Sequence, residues 1–235
     1  MSIKLIPSDS RNEYAGGFLN PPLRAPTAMT TPRTPITLYR YALSGHAHRA
    51  QLMLSLLGLP HRLVEVDLMK GEHQAAEFIE RNLFGQVPVI EDGDFTVADS
   101  NAILVYLALR YDADRTWLPA DLRIQAEVQR WLGAAAGPLV RGPAVARWQR
   151  ISGQGDGVAL HAQSHQFFRR VEQHLQQRQW LVGPAPTIAD VALYSYSARA
   201  PEGGIALDDY PRLRAWLARV EALPGFVAMP VAVTA

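Results

Sequence analysis

Cysteine is absent from all 235 residues. That removes disulfides, thiolate metal sites and any cysteine nucleophile at once, so sulfur chemistry here would have to use a ligand's thiol. An excess of one charge is also missing. Lys and Arg number 23 against 22 Asp and Glu, a formal net charge of +1, which lacks the electrostatic footprint that nucleic acid or an anionic membrane calls for. No window approaches the roughly 18 consecutive apolar residues of a membrane span, and the N-terminal stretch carries no apolar core of a secretory signal. Neither nucleic acid nor membrane is expected as a partner, and the cytoplasm is the expected compartment. What is present, 48% hydrophobic and 19% charged residues, is an ordinary globular composition, long enough for two modest domains.

Residues 1–35 are rich in Pro, Gly, Thr and Ser without apolar periodicity, and read as an extension outside the fold. From Ile36 the pattern changes. ITLYRY reads as a strand, and SGHAHRAQLMLSLLGL as a helix closed by Gly58 and Pro60. HRLVEVDL alternates as a second strand, GEHQAAEFIERN suits a short helix, VPVIEDGDFTVAD suits a hairpin turning at Asp92-Gly93, and SNAILVYLALRYD is an amphipathic helix. The order βαβ, helix, ββα predicts a small mixed sheet, its first two strands parallel, covered by helices on both faces. After a linker around Asp112 to Pro119 the strand signals stop. Helical patterns follow at about 121–150, 157–179, 187–199 and 210–223, so the fold class is α/β followed by all-α. GQGDG at 153–157 follows a helix instead of a strand, and reads as a connector, not a phosphate loop.

Several residue groups in the first half bear chemistry. Pro88 in Gln86-Val87-Pro88 stands at the head of a strand and cannot donate to a ladder, which points to an edge. With a cis Val87-Pro88 bond, Val87 would offer its N–H and C=O to an extended peptide ligand; a plain turn proline is the alternative. Asp99-Ser100 opens the third helix, where short oxygen-bearing side chains cap free N–H groups and the dipole favours an anion. The same carboxylate and hydroxyl could hold an ammonium and a carboxylate together, the α-amino-acid end of a γ-glutamyl group. Ser44 lies at the start of the first helix, where it is either a cap or a donor to a ligand thiolate, lowering a thiol pKa of roughly 8.5. His73 could reach a carboxylate at the far end of such a ligand, or be a surface histidine. His46-x-His48 and His161-x3-His165 each bring two imidazoles close, but no third ligand accompanies either pair and no metal site is expected.

Taken together, LSGHAHRAQLMLSLLGLP, GEH, GQVP, ADSNAILVYL and PTIADVAL resemble a soluble glutathione S-transferase of the bacterial serine-type, theta-like groups, over about residues 36–226. The resemblance implies a thioredoxin-like N-terminal domain over 36–112 and an all-helical C-terminal domain over 120–228. It implies glutathione as co-substrate, without metal, and conjugation of the thiolate to a small hydrophobic electrophile. Residue by residue, it makes Ser44 the thiol-activating hydroxyl and assigns His73 and Gln86 to the glycyl carboxylate. Val87 would pair with the cysteinyl backbone, and Asp99 and Ser100 would hold the γ-glutamyl end. The segment from Ser44 to Arg49 departs from better-known serine classes, and Tyr39 and Tyr41 are rivals for the sulfur. Thr187-x-x-Asp190 matches a helix-start motif of the second domain.

The electrophile is expected between the domains, beside Leu43 and a long helix carrying Trp131, Arg141, Arg147 and Trp148. The family also implies a homodimer. A non-catalytic glutathione-binding regulator, or a glutathione-dependent peroxidase or isomerase, would use the same site.

Overall fold

The computed structural model describes residues 31–232. Residues 1–30, most of the expected N-terminal extension, lie outside the described residues. The α/β half runs β1 (Ile36–Arg40), α1 (Gly45–Leu56), β2 (His61–Glu65), a 3-10 turn (Glu72–Gln74), α2 (Ala76–Arg81), β3 (Val89–Asp92), β4 (Phe95–Ala98) and α3 (Ser100–Tyr111). The sheet order is β2-β1-β3-β4. β1 and β2 are parallel, with Ile36 opposite His61, while the β1–β3 and β3–β4 pairs are antiparallel.

Side-chain alternation divides the sheet into two faces. Ile36, Leu38 and Ile90 enter the main core with α1 and α3, whereas Val89 joins Val66, Val87 and Phe78 of α2, with Tyr39 packed against them, in a smaller cluster. The hairpin turn falls one residue later than the expected Asp92-Gly93. Asp92 pairs with Phe95, so Gly93 and Asp94 form the turn, and Gly93 alone of the two has positive φ, at 64°. Glycine is suited to that first central position because it pays no Cβ penalty there. The expected single helix over 71–82 is divided, because Ala75 is extended (φ −65°, ψ 145°) between the 3-10 turn and α2.

The helical half contains α4 (Leu122–Ala136), a π-helical turn (Val140–Ala144), α5 (Val145–Ile151), α6 (His161–His174), α7 (Ile188–Ala198) and α8 (Pro211–Glu221). The periodicity over 121–150 predicts one helix; the structure breaks it at Gly137 and interrupts it again with the π turn containing Pro143. Proline has no N–H for the ladder, and π turns absorb such interruptions. α7 is buried from Ile188 to Ser197 and packs on α1, α3 and α4. Thr187 and Asp190 form the expected capping box. The Asp190 carboxylate also accepts from the Leu181 N–H and from Trp216 Nε1, so the motif fixes α7 against α8. The linker is fastened to this half where the Ile188 N–H donates to the Trp117 carbonyl.

Candidate functional site

The segment before β3 is fixed by Asn82, which is buried and donates its side-chain amide to the Gln86 carbonyl at 2.7 Å. The Val87–Pro88 bond that follows is cis. Neither the N–H nor the C=O of Val87 has a partner among the described residues. An extended ligand backbone could take both. The expectation that Pro88 marks a sheet edge is corrected: β3 lies between β1 and β4, and Pro88 stands outside the ladder, one residue before the strand. The missing N–H therefore costs the sheet nothing.

At the start of α3, Asp99 adopts φ 74° and ψ 127°, a left-sided conformation that only strong local bonding holds. Its Oδ1 accepts from the N–H groups of Asn101 and Ala102, each at 2.9 Å. Ser100 is buried. Its hydroxyl meets His46 Nδ1 at 3.0 Å and receives Arg49 Nη1 at 3.3 Å. Arg49 is fully buried with no ion pair within 4 Å among the described residues, and burial lowers its pKa to about 10 against the opposing pull of Tyr196 and Asp99. The guanidinium is a desolvated positive charge beside the α3 N-terminus, where it favours an anion.

At the start of α1, Ser44 caps the helix: its Oγ accepts from the Ala47 N–H at 3.2 Å. Its own O–H has no partner among the described residues and remains a donor. Of the two rival tyrosines, Tyr39 donates to Glu91 at 2.9 Å and lies under Arg81 on the far face of the sheet. Tyr41 lies edge-on to Trp148, with ring centres 6.3 Å apart.

Ser44, His73, Gln86, Val87, Asp99 and Ser100, all expected site residues, line one cavity of about 860 Å³ between the two halves. His73 contributes a buried Nδ1 without a partner. Opposite them stand Leu43, Tyr41, Val140, Val145, Trp148 and Tyr196, an apolar and aromatic wall suited to a hydrophobic ligand. The expected boundary residues separate here. Arg147 and Trp148 join the cavity, Arg141 does not, and Trp131 packs in the core against His174.

Two models of one family match this chain. "Glutathione S-transferase, N-terminal domain" matches residues 34–109 and "Glutathione S-transferase, C-terminal domain" residues 158–224, together more than half of it. The chain belongs to the glutathione S-transferase family. Human glutathione S-transferase theta-2 is 35% identical over 179 residues, covering 72% of this chain and 73% of that protein. The crystal structure of a glutathione S-transferase from Pseudomonas fluorescens superposes with a TM-score of 0.78 at 33% identity, covering 83% of this chain and 99% of that one. A glutathione transferase homolog from Drosophila mojavensis with bound glutathione gives 0.70 at 28% identity, covering 81% and 89%.

Within this member of the glutathione S-transferase family, sequence reasoning passed over three contributors to the cavity and its support. His46 enters the expectations only as half of a histidine pair and within the departing Ser44–Arg49 segment, Arg49 only as the end of that segment, and Asn82 not at all. The nearness of two histidines in sequence was the wrong signal: His46 faces Ser100, whereas His48 is buried between Ser195 Oγ and the Val227 carbonyl. His161 and His165 likewise point apart, to the Gly203 carbonyl and to Tyr210.

Proposed function

We propose that this protein conjugates glutathione to small hydrophobic electrophiles. One observation carries the reading: a single cavity joins the capping hydroxyl of Ser44, the unpaired main chain of Val87, and Asp99 with Ser100 at a second helix N-terminus. These match the sulfur, the cysteinyl backbone and the γ-glutamyl end of one extended tripeptide. Gln86 and His73 stand at the remaining end for the glycyl carboxylate, where the unpartnered His73 Nδ1 is a group awaiting a bond. Relatives named glutathione S-transferases, and a structural neighbour with glutathione bound, support the same reading.

In the reaction, the Ser44 O–H donates to the glutathione sulfur and favours the thiolate, whose proton passes to solvent. The thiolate attacks an electrophilic carbon held against Leu43, Tyr41 and Trp148. A sulfur–carbon bond forms as the leaving group departs with its electron pair. The protein acts as a cytoplasmic homodimer and needs no metal in this scheme. Titrating bound glutathione by its thiolate absorbance tests the reading. A bound thiol that ionises near its free value of roughly 8.5 would overturn it.

A further inference from the structure

His46 occupies the first turn of α1, two residues after Ser44, and lines the same cavity. Its ring is held on three sides. Nδ1 is 3.0 Å from Ser100 Oγ and 3.0 Å from Arg49 Nη1, and Tyr196 packs against the ring in an edge-to-face contact with centres 5.2 Å apart. The tautomer follows from chemistry. A guanidinium can only donate, so Nδ1 must accept and the single ring proton sits on Nε2. That N–H has no partner among the described residues. The Nδ1 edge is spent on the buried side, toward Ser100 and Arg49, which leaves the Nε2 edge for the cavity.

The charge state is fixed as well. Burial, aided by the neighbouring Arg49 charge, lowers the His46 pKa to about 3. The ring is therefore a neutral N–H donor throughout the working pH range, neither an acid nor a base. It stands between the sulfur end at Ser44 and the γ-glutamyl end at Ser100, which is the stretch a ligand's cysteinyl residue must cross.

We infer that His46 Nε2–H is a second hydrogen-bond donor to the sulfur of bound glutathione, beside the Ser44 hydroxyl. The inference rests on the proposed transferase reading and extends it. Serine alone contributes one neutral donor; a second fixed donor gives a role to the bond that Arg49, also donating to Ser100 and the Ala135 carbonyl, makes to an imidazole that carries no charge. Arg49 is then a positioning residue, holding the tautomer and ring angle without touching substrate.

The test measures the pKa of bound glutathione's thiol, by thiolate absorbance, in the wild type, Ser44→Ala, His46→Phe, His46→Ala and His46→Gln. Phenylalanine keeps the ring against Tyr196 but has no N–H, whereas glutamine can restore a donor near Nε2. The expected result is a thiol pKa about one unit higher in the folded Phe or Ala variants, with about a tenfold loss of kcat at fixed pH. Partial return toward wild type is expected in the Gln variant. An unchanged thiol pKa with a raised KM for glutathione would overturn the inference, placing His46 on the γ-glutamyl end. If Ser44→Ala moves the pKa and no His46 variant does, the inference falls and the transferase reading stands. A wild-type bound thiol that is not shifted at all overturns both.

Discussion

Ser44 performs two tasks that a short series of substitutions can separate. Its Oγ accepts the Ala47 N–H and caps α1, while its O–H is the proposed donor to sulfur. Ser44→Ala removes both: the lost cap costs about 1 kcal/mol of stability, and the lost charge-assisted bond costs about 1.5–3 kcal/mol of thiolate stabilisation. The second figure corresponds to roughly a ten- to hundredfold fall in kcat/KM and a thiol pKa one to two units higher. Ser44→Asp discriminates further. Aspartate caps a helix as well as serine does, so stability should stay near wild type. Its carboxylate, however, sets a like charge beside the thiolate and raises the thiol pKa further than alanine does. Stability should therefore rank wild type and Asp above Ala, while activity ranks wild type above Ala and Ala above Asp. Denaturant unfolding and kcat/KM with a reactive aromatic halide supply the two orders. If activity simply follows stability across the series, the catalytic assignment of the Ser44 hydroxyl is refuted.

Gly45→Ala should destabilise by about 1–3 kcal/mol through overpacking, because a Cβ there would stand 2.6–2.8 Å from the Tyr196 ring; a denaturation midpoint equal to wild type would contradict the close contact. Stability should fall on mild acidification. The folded-state pKa values of His46 and His48 lie at about 3 and about 4, both lowered mainly by burial from 6.5. The unfolded chain thus binds the extra protons: stability is complete above about pH 6.5 and declines below it, by roughly 2 kcal/mol per histidine at pH 5. Urea midpoints at pH 7.5 and pH 5 check the sign, and a flat profile would refute it. Arg147→Met should cost about 1–3 kcal/mol, because half-buried Glu202 loses its nearer arginine, keeping only Arg199 at 3.5 Å as an ion-pair partner, and the Leu43 carbonyl loses its donor. Adding Glu202→Gln should not restore activity, since the bond from Arg147 to the Leu43 carbonyl stays lost; recovery of activity would refute the anchoring role.

The elements of the α/β half were legible because strand alternation and helix periodicity are local and are punctuated by Gly58, Pro60, Gly93 and Asp99. That the expected site residues meet in one cavity was legible for the same reason, as each sits at or beside an element's end. Other features depended on contacts distant in sequence. The helix over 121–150 has unbroken apolar spacing, yet Gly137 and Pro143 redirect it, and that decided that Trp131 packs inward while Trp148 reaches the cavity. Pro88 misled in a smaller way: a proline one residue outside a ladder and one inside an edge strand look alike in sequence. The pairing of His46 with Ser100 spans 54 residues, and no period reports it.

α1 accounts for the unequal legibility of the two ends of the site. The Val87 main chain and the Asp99 cap are formed within the α/β half, by the segment before β3 and the start of α3, although Asn101 beside the cap also donates to the Leu132 carbonyl of α4. The sulfur end is not so confined. Arg147 of α5 holds the Leu43 carbonyl at 2.7 Å, just before Ser44. Arg49 donates to the Ala135 carbonyl of α4 at 3.3 Å. His48 joins α1 to Ser195 of α7 and to the Val227 carbonyl near the C-terminus. Each anchor departs from the first turns of α1 or the loop before it, and each ends in the helical half. On the proposed reading, the placement of donors on a sulfur atom is therefore set with the help of the helical domain, which also supplies Val140, Val145, Trp148 and Tyr196 to the apolar wall of the cavity. Changes in that domain that alter substrate preference should also shift the thiol pKa, because the two functions share their supports.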